Sequence, residues 1–275
     1  MYYKVLGQQK ADAETVVLSS GLGGSWGFWQ PQLAMLSAHF RVVVYDQYGT
    51  GASQGSVPAG YRMEDMADEL AGLLNALNIS RCHLVGHALG GIMGLHLALR
   101  YPALLQSLVV INGWTVLNSQ TRRCFDVRRN LLLNSGVDAY VQAQPLFLYP
   151  GDWLSEHEAL LQEERQHQVA NFQGMENLLH RLQALMDSDL TTSLKGVIAP
   201  TLALSAKDDL LVPWSCSADL ASHLPHGEHR QMGYGGHAMS VTDPDTFNPI
   251  LLDWLQRQAS HPSATPSDFI PVEMP

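Results

Sequence analysis

One heptapeptide and two later loops hold the residue types that could do chemistry. Val85-Gly86-His87-Ala88-Leu89-Gly90-Gly91 has the spacing of G-x-S-x-G, the sharp strand-to-helix turn that lifts a nucleophilic serine above a sheet, yet position 88 is alanine. A methyl group cannot attack a carbonyl, so the nucleophile position is vacant. Asp208-Asp209-Leu210-Leu211-Val212-Pro213 then offers an acid, and Gly235-Gly236-His237-Ala238 an imidazole. The chain order is nucleophile position, acid, base. Asp209 is the preferred acid because it stands four residues before Pro213, the usual spacing to the proline of such a loop; Asp208 remains the alternative. An imidazole oriented by a carboxylate is a general acid and base.

A further piece is Ser20-Gly21-Leu22-Gly23-Gly24. Glycines there let the backbone approach a ligand closely. The Leu22 N–H, with the Leu89 N–H just past the elbow, would form an oxyanion hole. Each piece alone has a plainer reading. Glycine pairs mark close helix–strand packing, Gly-Gly-His is a common surface turn, and Asp-Asp often caps a helix or sits in a solvated loop. What favours a shared site is their order, each at the end of a predicted strand. His87 and Trp114 are read as substrate-binding pocket residues, and His83 and His96 as satisfied core or rim histidines. Arg122, Arg123, Arg128 and Arg129 read as a solvated helix face, from which one guanidinium could reach an anionic substrate.

The elements that would position these residues follow from hydrophobic patterning. Val16-Val17-Leu18-Ser19-Ser20, Val42-Val43-Val44-Tyr45, Cys82-His83-Leu84-Val85 and Leu108-Val109-Val110-Ile111 are short apolar runs, as strands buried on both faces should be. Residues 63–77 carry Met66, Leu70, Leu73, Leu74 and Leu77 at helical spacing. Residues 91–101 read as the helix leaving the elbow, stopped by Pro102. Thr201-Leu202-Ala203-Leu204 and His229-Arg230-Gln231-Met232 resume the strands, and 247–258 closes with a helix. Alternation of this kind predicts an α/β fold: a mostly parallel twisted sheet flanked by helices. Residues 113–194 have helical periodicity and no convincing strand. They are read as a helical lid inserted after the fourth predicted strand, over the strand ends where ligands bind. The predicted organisation is a core at 1–112 and 195–259, the lid at 113–194 and a flexible Pro/Ser-rich tail at 260–275.

With 275 residues, 46% apolar and 15% charged, the chain can bury a large core. A net charge of −10 argues against nucleic acid or an anionic membrane as partner, and no apolar run suggests a membrane span or a signal peptide. The expected partner is a small-molecule substrate. Cys82, Cys124 and Cys216 are far apart, without a C-x-x-C pair, which fits a reducing cytoplasm and suggests neither a disulfide frame nor a metal site. No motif calls for a metal or an organic cofactor. Leu146, Phe147 and Leu148 suit either a core or a homodimer interface.

From about residue 16 to 258 the chain resembles the α/β-hydrolase fold family. Several stretches resemble more closely its carbamate (formerly aminoacrylate) hydrolases of bacterial pyrimidine-ring degradation: Gly86–Gly90, Asn112-Gly113-Trp114, Thr121-Arg122-Arg123-Cys124-Phe125, Gln144–Pro150, Asp208–Pro213, Tyr234–Ala238 and Val241–Pro244. The lid stretches are the specific ones, since lids vary widely. The resemblance implies a hydrolase of C–N bonds in which alanine at the elbow is at home. Where many α/β-hydrolases carry His-Gly after the first strand, this chain has Ser20. Where they carry D-x-R-G-x-G it has Tyr48, with no consequence legible in the sequence. The expected reaction is breakdown of a small carbamate, or of aminoacrylate, in uracil degradation. His237 and Asp209 would do acid/base work, and the Leu22 and Leu89 amides would hold the carboxylate. Two other readings stay open: a non-catalytic ligand-binding protein on a hydrolase scaffold, and a cofactor-free His–Asp oxygenase or lyase.

Overall fold

A computed structural model describes residues 1–10 and 12–260; from 261 on, the predicted tail lies outside them. Seven strands form one sheet: β1 (Tyr3–Gly7), β2 (Thr15–Ser19), β3 (Arg41–Tyr45), β4 (Cys82–His87), β5 (Leu105–Ile111), β6 (Thr201–Ala206) and β7 (Gly227–Met232). Their order is β1-β3-β2-β4-β5-β6-β7. Only β1 runs antiparallel, against β3. The helices are α1 (Gln30–His39), α2 (Met63–Ala76), α3 (Leu89–Arg100), α4 (Ser119–Leu148), α5 (Gly151–Glu156), α6 (Glu158–Ala170), α7 (Met175–Asp187), α8 (Trp214–His223), α9 (Met239–Thr242) and α10 (Pro244–Ser260).

The strand sequences explain the layers. Successive side chains point to opposite faces, and central strands are covered on both. Val17, Val43, Leu84, Leu108, Val110 and Ala203 pack with α2, α3 and α8. Val16, Val42, Val85, Val109, Ile111 and Leu202 pack on the other face, with α1 and α10. The fold is the α/β arrangement expected from the sequence, with one addition. Strand β1 is absent from the hydrophobic patterning, so the insertion follows the fifth strand rather than the fourth. Between β5 and β6 the chain makes the helices α4–α7, and an isolated antiparallel bridge between Val116 and Asp189 closes the base of this insertion. Helix α4 breaks direction at Gly136, whose φ of 87° is costly for any other residue. Among the described residues no helix is long and apolar enough to cross a membrane.

The strand order reverses about β2: the chain passes from β2 to β3 on one side, then to β4 on the other. The carboxyl ends of β2 and β4 are therefore neighbours at a topological switch point, where open parallel sheets bind ligands.

Candidate active site

The site grows out of the β4–α3 elbow. Ala88 has φ 46° and ψ −108°, a backbone conformation that side chains other than glycine rarely adopt. The surrounding glycines allow it. A Cβ at Gly86 would lie 2.4 Å from the Gly90 carbonyl carbon, and one at Gly90 would lie 2.3 Å from the Ser19 carbonyl oxygen. Helix α3 can start this close to β2 and β4 only without side chains there. The Ala88 N–H donates to the Ile111 carbonyl at 2.7 Å, and the Ala88 carbonyl accepts from Gly91 and Ile92. Among the described residues the Leu22 and Leu89 N–H groups donate to no protein acceptor. Leu22 lies in the loop after β2, whose strand is hydrogen-bonded to β4.

Two further loops converge on the elbow. His237 Nδ1–H donates to Asp209 Oδ2 at 2.8 Å, while Asp209 Oδ1 accepts the N–H groups of Leu211 and Val212 at 2.8 and 2.9 Å. Both carboxylate oxygens are thus fixed, and His237 keeps Nε2 for other work. Asp208 plays a different part: it accepts the N–H groups of Gly235 and Gly236, at 3.2 and 3.0 Å, and so holds the histidine loop. The His237 carbonyl accepts from Asn112 Nδ2 at 2.6 Å and from His87 Nε2 at 2.8 Å. Asn112, with φ 52°, reaches across to β6 by accepting the Ala206 N–H. The His87 ring stacks on Phe28 at 4.6 Å and meets the His237 ring edge-on at 4.8 Å. Burial, then the neighbouring His237, push the His87 imidazole down to about 3, so it is neutral. With Nε2 donating, its Nδ1 is a lone-pair acceptor beside Gly21, where an added Cβ would come within 2.9 Å.

The remaining sequence candidates divide. His83 hydrogen-bonds Ser107 and His96 hydrogen-bonds Ser188, both away from the elbow. Trp114 is buried in the main core with its ring 6.2 Å from Phe125. Arg122, Arg123 and Arg129 are exposed or partly so, but Arg128 is not part of a solvated face: it is 5% exposed. The reason is helical spacing, since Thr121, Cys124, Phe125, Arg128 and Leu132 form the buried stripe of α4. Leu146 stays exposed, whereas Phe147 and Leu148 pack on the core.

Sequence reasoning missed residues that brace the site from afar. The Gln173 side-chain amide donates to the Leu22 carbonyl at 3.2 Å, and buried Arg181 donates to Gln173 and to the Tyr48 carbonyl. The tie from Tyr48 is through its backbone, which no reading of its side chain would find. Leu148 at the end of α4 accepts the Ala238 N–H at 3.0 Å, stitching the insertion to the histidine loop. His237 is 3% and Ala88 6% exposed, so both are enclosed by the surrounding loops. Among the described residues no group of three or more His, Cys, Asp or Glu is placed to hold a metal ion.

Comparisons with known proteins agree with this fold. The family model described as alpha/beta hydrolase fold matches residues 14–136. The chain is 98% identical over 275 residues, 100% of both chains, to a Pantoea ananatis protein named "Putative carbamate hydrolase RutD". It is 63% identical over 255 residues to a Serratia proteamaculans protein of the same name, covering 93% of this chain and 96% of that one. Among solved structures it matches an enol-lactonase from Burkholderia xenovorans with a TM-score of 0.84 at 25% identity, over 93% of this chain and 96% of the other. An α/β-hydrolase fold, with 98% identity to one such protein along its whole length and 63% to another, leads to one conclusion: the chain belongs to the RutD family.

Proposed function

We propose that this protein breaks down carbamate, a step in pyrimidine-ring degradation, by moving a proton and without a covalent intermediate. The observation that carries the reading is the pairing of a braced His237–Asp209 dyad with an elbow that holds alanine. The names of the relatives support the substrate class. Carbamate carbon is already part of an anion and is a poor electrophile, so a serine would gain little there. In the proposed step His237 Nε2–H gives its proton to the carbamate nitrogen. The C–N bond then breaks, its electron pair leaving with nitrogen, so that one carbamate anion and one proton become one ammonia and one carbon dioxide. Water returns the proton to Nε2. Asp209 keeps Nδ1 protonated and steadies the imidazolium. The Leu22 and Leu89 amides hold a carboxylate oxygen. Positioned acid/base groups of this kind are worth about 10²–10⁴-fold, enough for a compound that also decays unaided.

The test is carbamate decay with and without protein. His237→Ala should remove the acceleration, and Ala88→Ser should not raise it. A large gain on Ala88→Ser would show that covalent attack is the better chemistry for this site. Equal decay with and without wild-type protein, together with saturable binding, would replace the reading with a ligand-binding protein.

A further inference from the structure

We propose that Arg128 is the anchor for the substrate's second carboxylate oxygen, which makes the site selective for a small planar monoanion; this rests on the reading above, in which the substrate carries such a group. Arg128 is 5% exposed, yet among the described residues no carboxylate pairs with it. Its Nη2 donates to two neutral acceptors, Tyr140 Oη at 3.1 Å and Gln144 Oε1 at 2.5 Å. Its Nε is buried without a partner, and Nη1, which solvent reaches, donates to no acceptor among the described residues, so three of the five N–H donors have no protein partner. The rings of Phe125, Tyr140 and Phe147 lie 5.7, 5.6 and 5.8 Å from the guanidinium carbon. Aromatic faces soften the loss of water around a cation, but they do not replace an anion. A buried guanidinium without a counter-charge is costly in the unliganded protein, and a bound carboxylate removes that cost.

Helix α4 carries this charge on a stripe whose two ends touch loops of the site. Helix α4 begins on the acid loop, where Thr121 Oγ1 donates to the Leu211 carbonyl. One turn later Cys124 lies within electrostatic reach of both Asp209 and Arg128. Further along the same stripe, Leu132 packs in the small cluster that Leu22 of the oxyanion loop also touches. Arg128 therefore stands between the acid loop and the oxyanion loop. After the break at Gly136 the returning limb supplies Tyr140 and Gln144 and ends with Leu148 on the histidine loop. The insertion that carries this unpaired cation thus touches all three loops of the site, through Thr121, Leu132 and Leu148. A planar carboxylate can meet the two amides with one oxygen and the guanidinium fork with the other.

Acetate and its neutral isostere acetamide are the probes, because neither reacts. Wild-type protein, titrated and followed by NMR, should bind acetate at least tenfold more tightly than acetamide, and acetate should shift the Arg128 Nε–H signal. Arg128→Met should bind acetate at least tenfold more weakly than wild type, lose the preference over acetamide, and melt at or above the wild-type temperature when unliganded. Acetate binding by Arg128→Met within twofold of wild type overturns the proposal. Should that variant fail to fold, wild type alone decides: an Arg128 Nε–H signal unmoved at saturating acetate overturns it equally. Acetate binding that depends on Arg128, in a protein that does not speed carbamate decay, would leave the anchor standing and remove the proposed reaction.

Discussion

Acid should loosen this fold through His87, and the size of the effect follows from its surroundings. In the fold the ring is buried, stacked on Phe28, and held neutral down to about pH 3; in the unfolded chain it titrates near 6.5. The native state thus binds fewer protons than the unfolded state throughout the interval between these values. The stability this ring contributes is complete above 6.5 and is lost as pH falls toward 3. Lowering the pH from 7.5 to 5 protonates the unfolded form by about 30-fold relative to the native form, a cost of about 2 kcal/mol. His87→Gln keeps a donor for the His237 carbonyl but cannot titrate. Other depressed histidines, such as His83 at about 4, titrate in both proteins and cancel in the difference. Urea unfolding at the two pH values should therefore show wild type losing about 2 kcal/mol more than His87→Gln. Equal losses would mean that the ring is already charged, or already exposed, in the native state, and the neutral acceptor assigned to Nδ1 would go with it.

Asp209→Asn should lower carbamate acceleration by about 10²-fold or more. The two amides on Oδ1 fix that position as the oxygen, so the new side-chain amide group faces His237 Nδ1 and forces the proton onto Nε2; ring ¹⁵N shifts of His237 report the change of tautomer. Gly90→Ala should destabilise the protein by roughly 1–3 kcal/mol in urea unfolding, because its Cβ would meet the immobile Ser19 carbonyl at 2.3 Å. A wild-type midpoint for that variant would mean that α3 can retreat from β2.

What the sequence reveals depends on whether a signal is local. The central strands are legible because cover on both faces demands unbroken apolar runs, as in Val42-Val43-Val44. β1 is not legible: Tyr3–Gly7 is an edge strand with both ends exposed, and only Val5 and Leu6, on opposite faces, pack on the core. α1 escapes for a related reason, since only Gln32 and Leu36 of its residues are fully buried. The elbow and the two loops are legible because glycine, acid and imidazole spacings are set within a few residues. Asp209 rather than Asp208 makes the contact with His237, while Asp208 proves to be the brace of that same loop. Arg128 reads as solvated from the sequence because its enclosure needs the bend at Gly136, which folds Tyr140 and Gln144 back upon it. The brace from Gln173 to Leu22 spans 151 residues and leaves no trace in either neighbourhood.

The stitch between Leu148 and Ala238 bears on how a turnover ends. Swinging the inserted helices aside would pull on the strand of backbone that carries the imidazole, so each wide opening would also dismantle the proton relay. An ester hydrolase with a bulky alcohol to expel would have to accept that disruption every cycle. In the proposed carbamate reaction the products are ammonia and carbon dioxide, each only a few atoms across, and their release asks for no such opening of the roof.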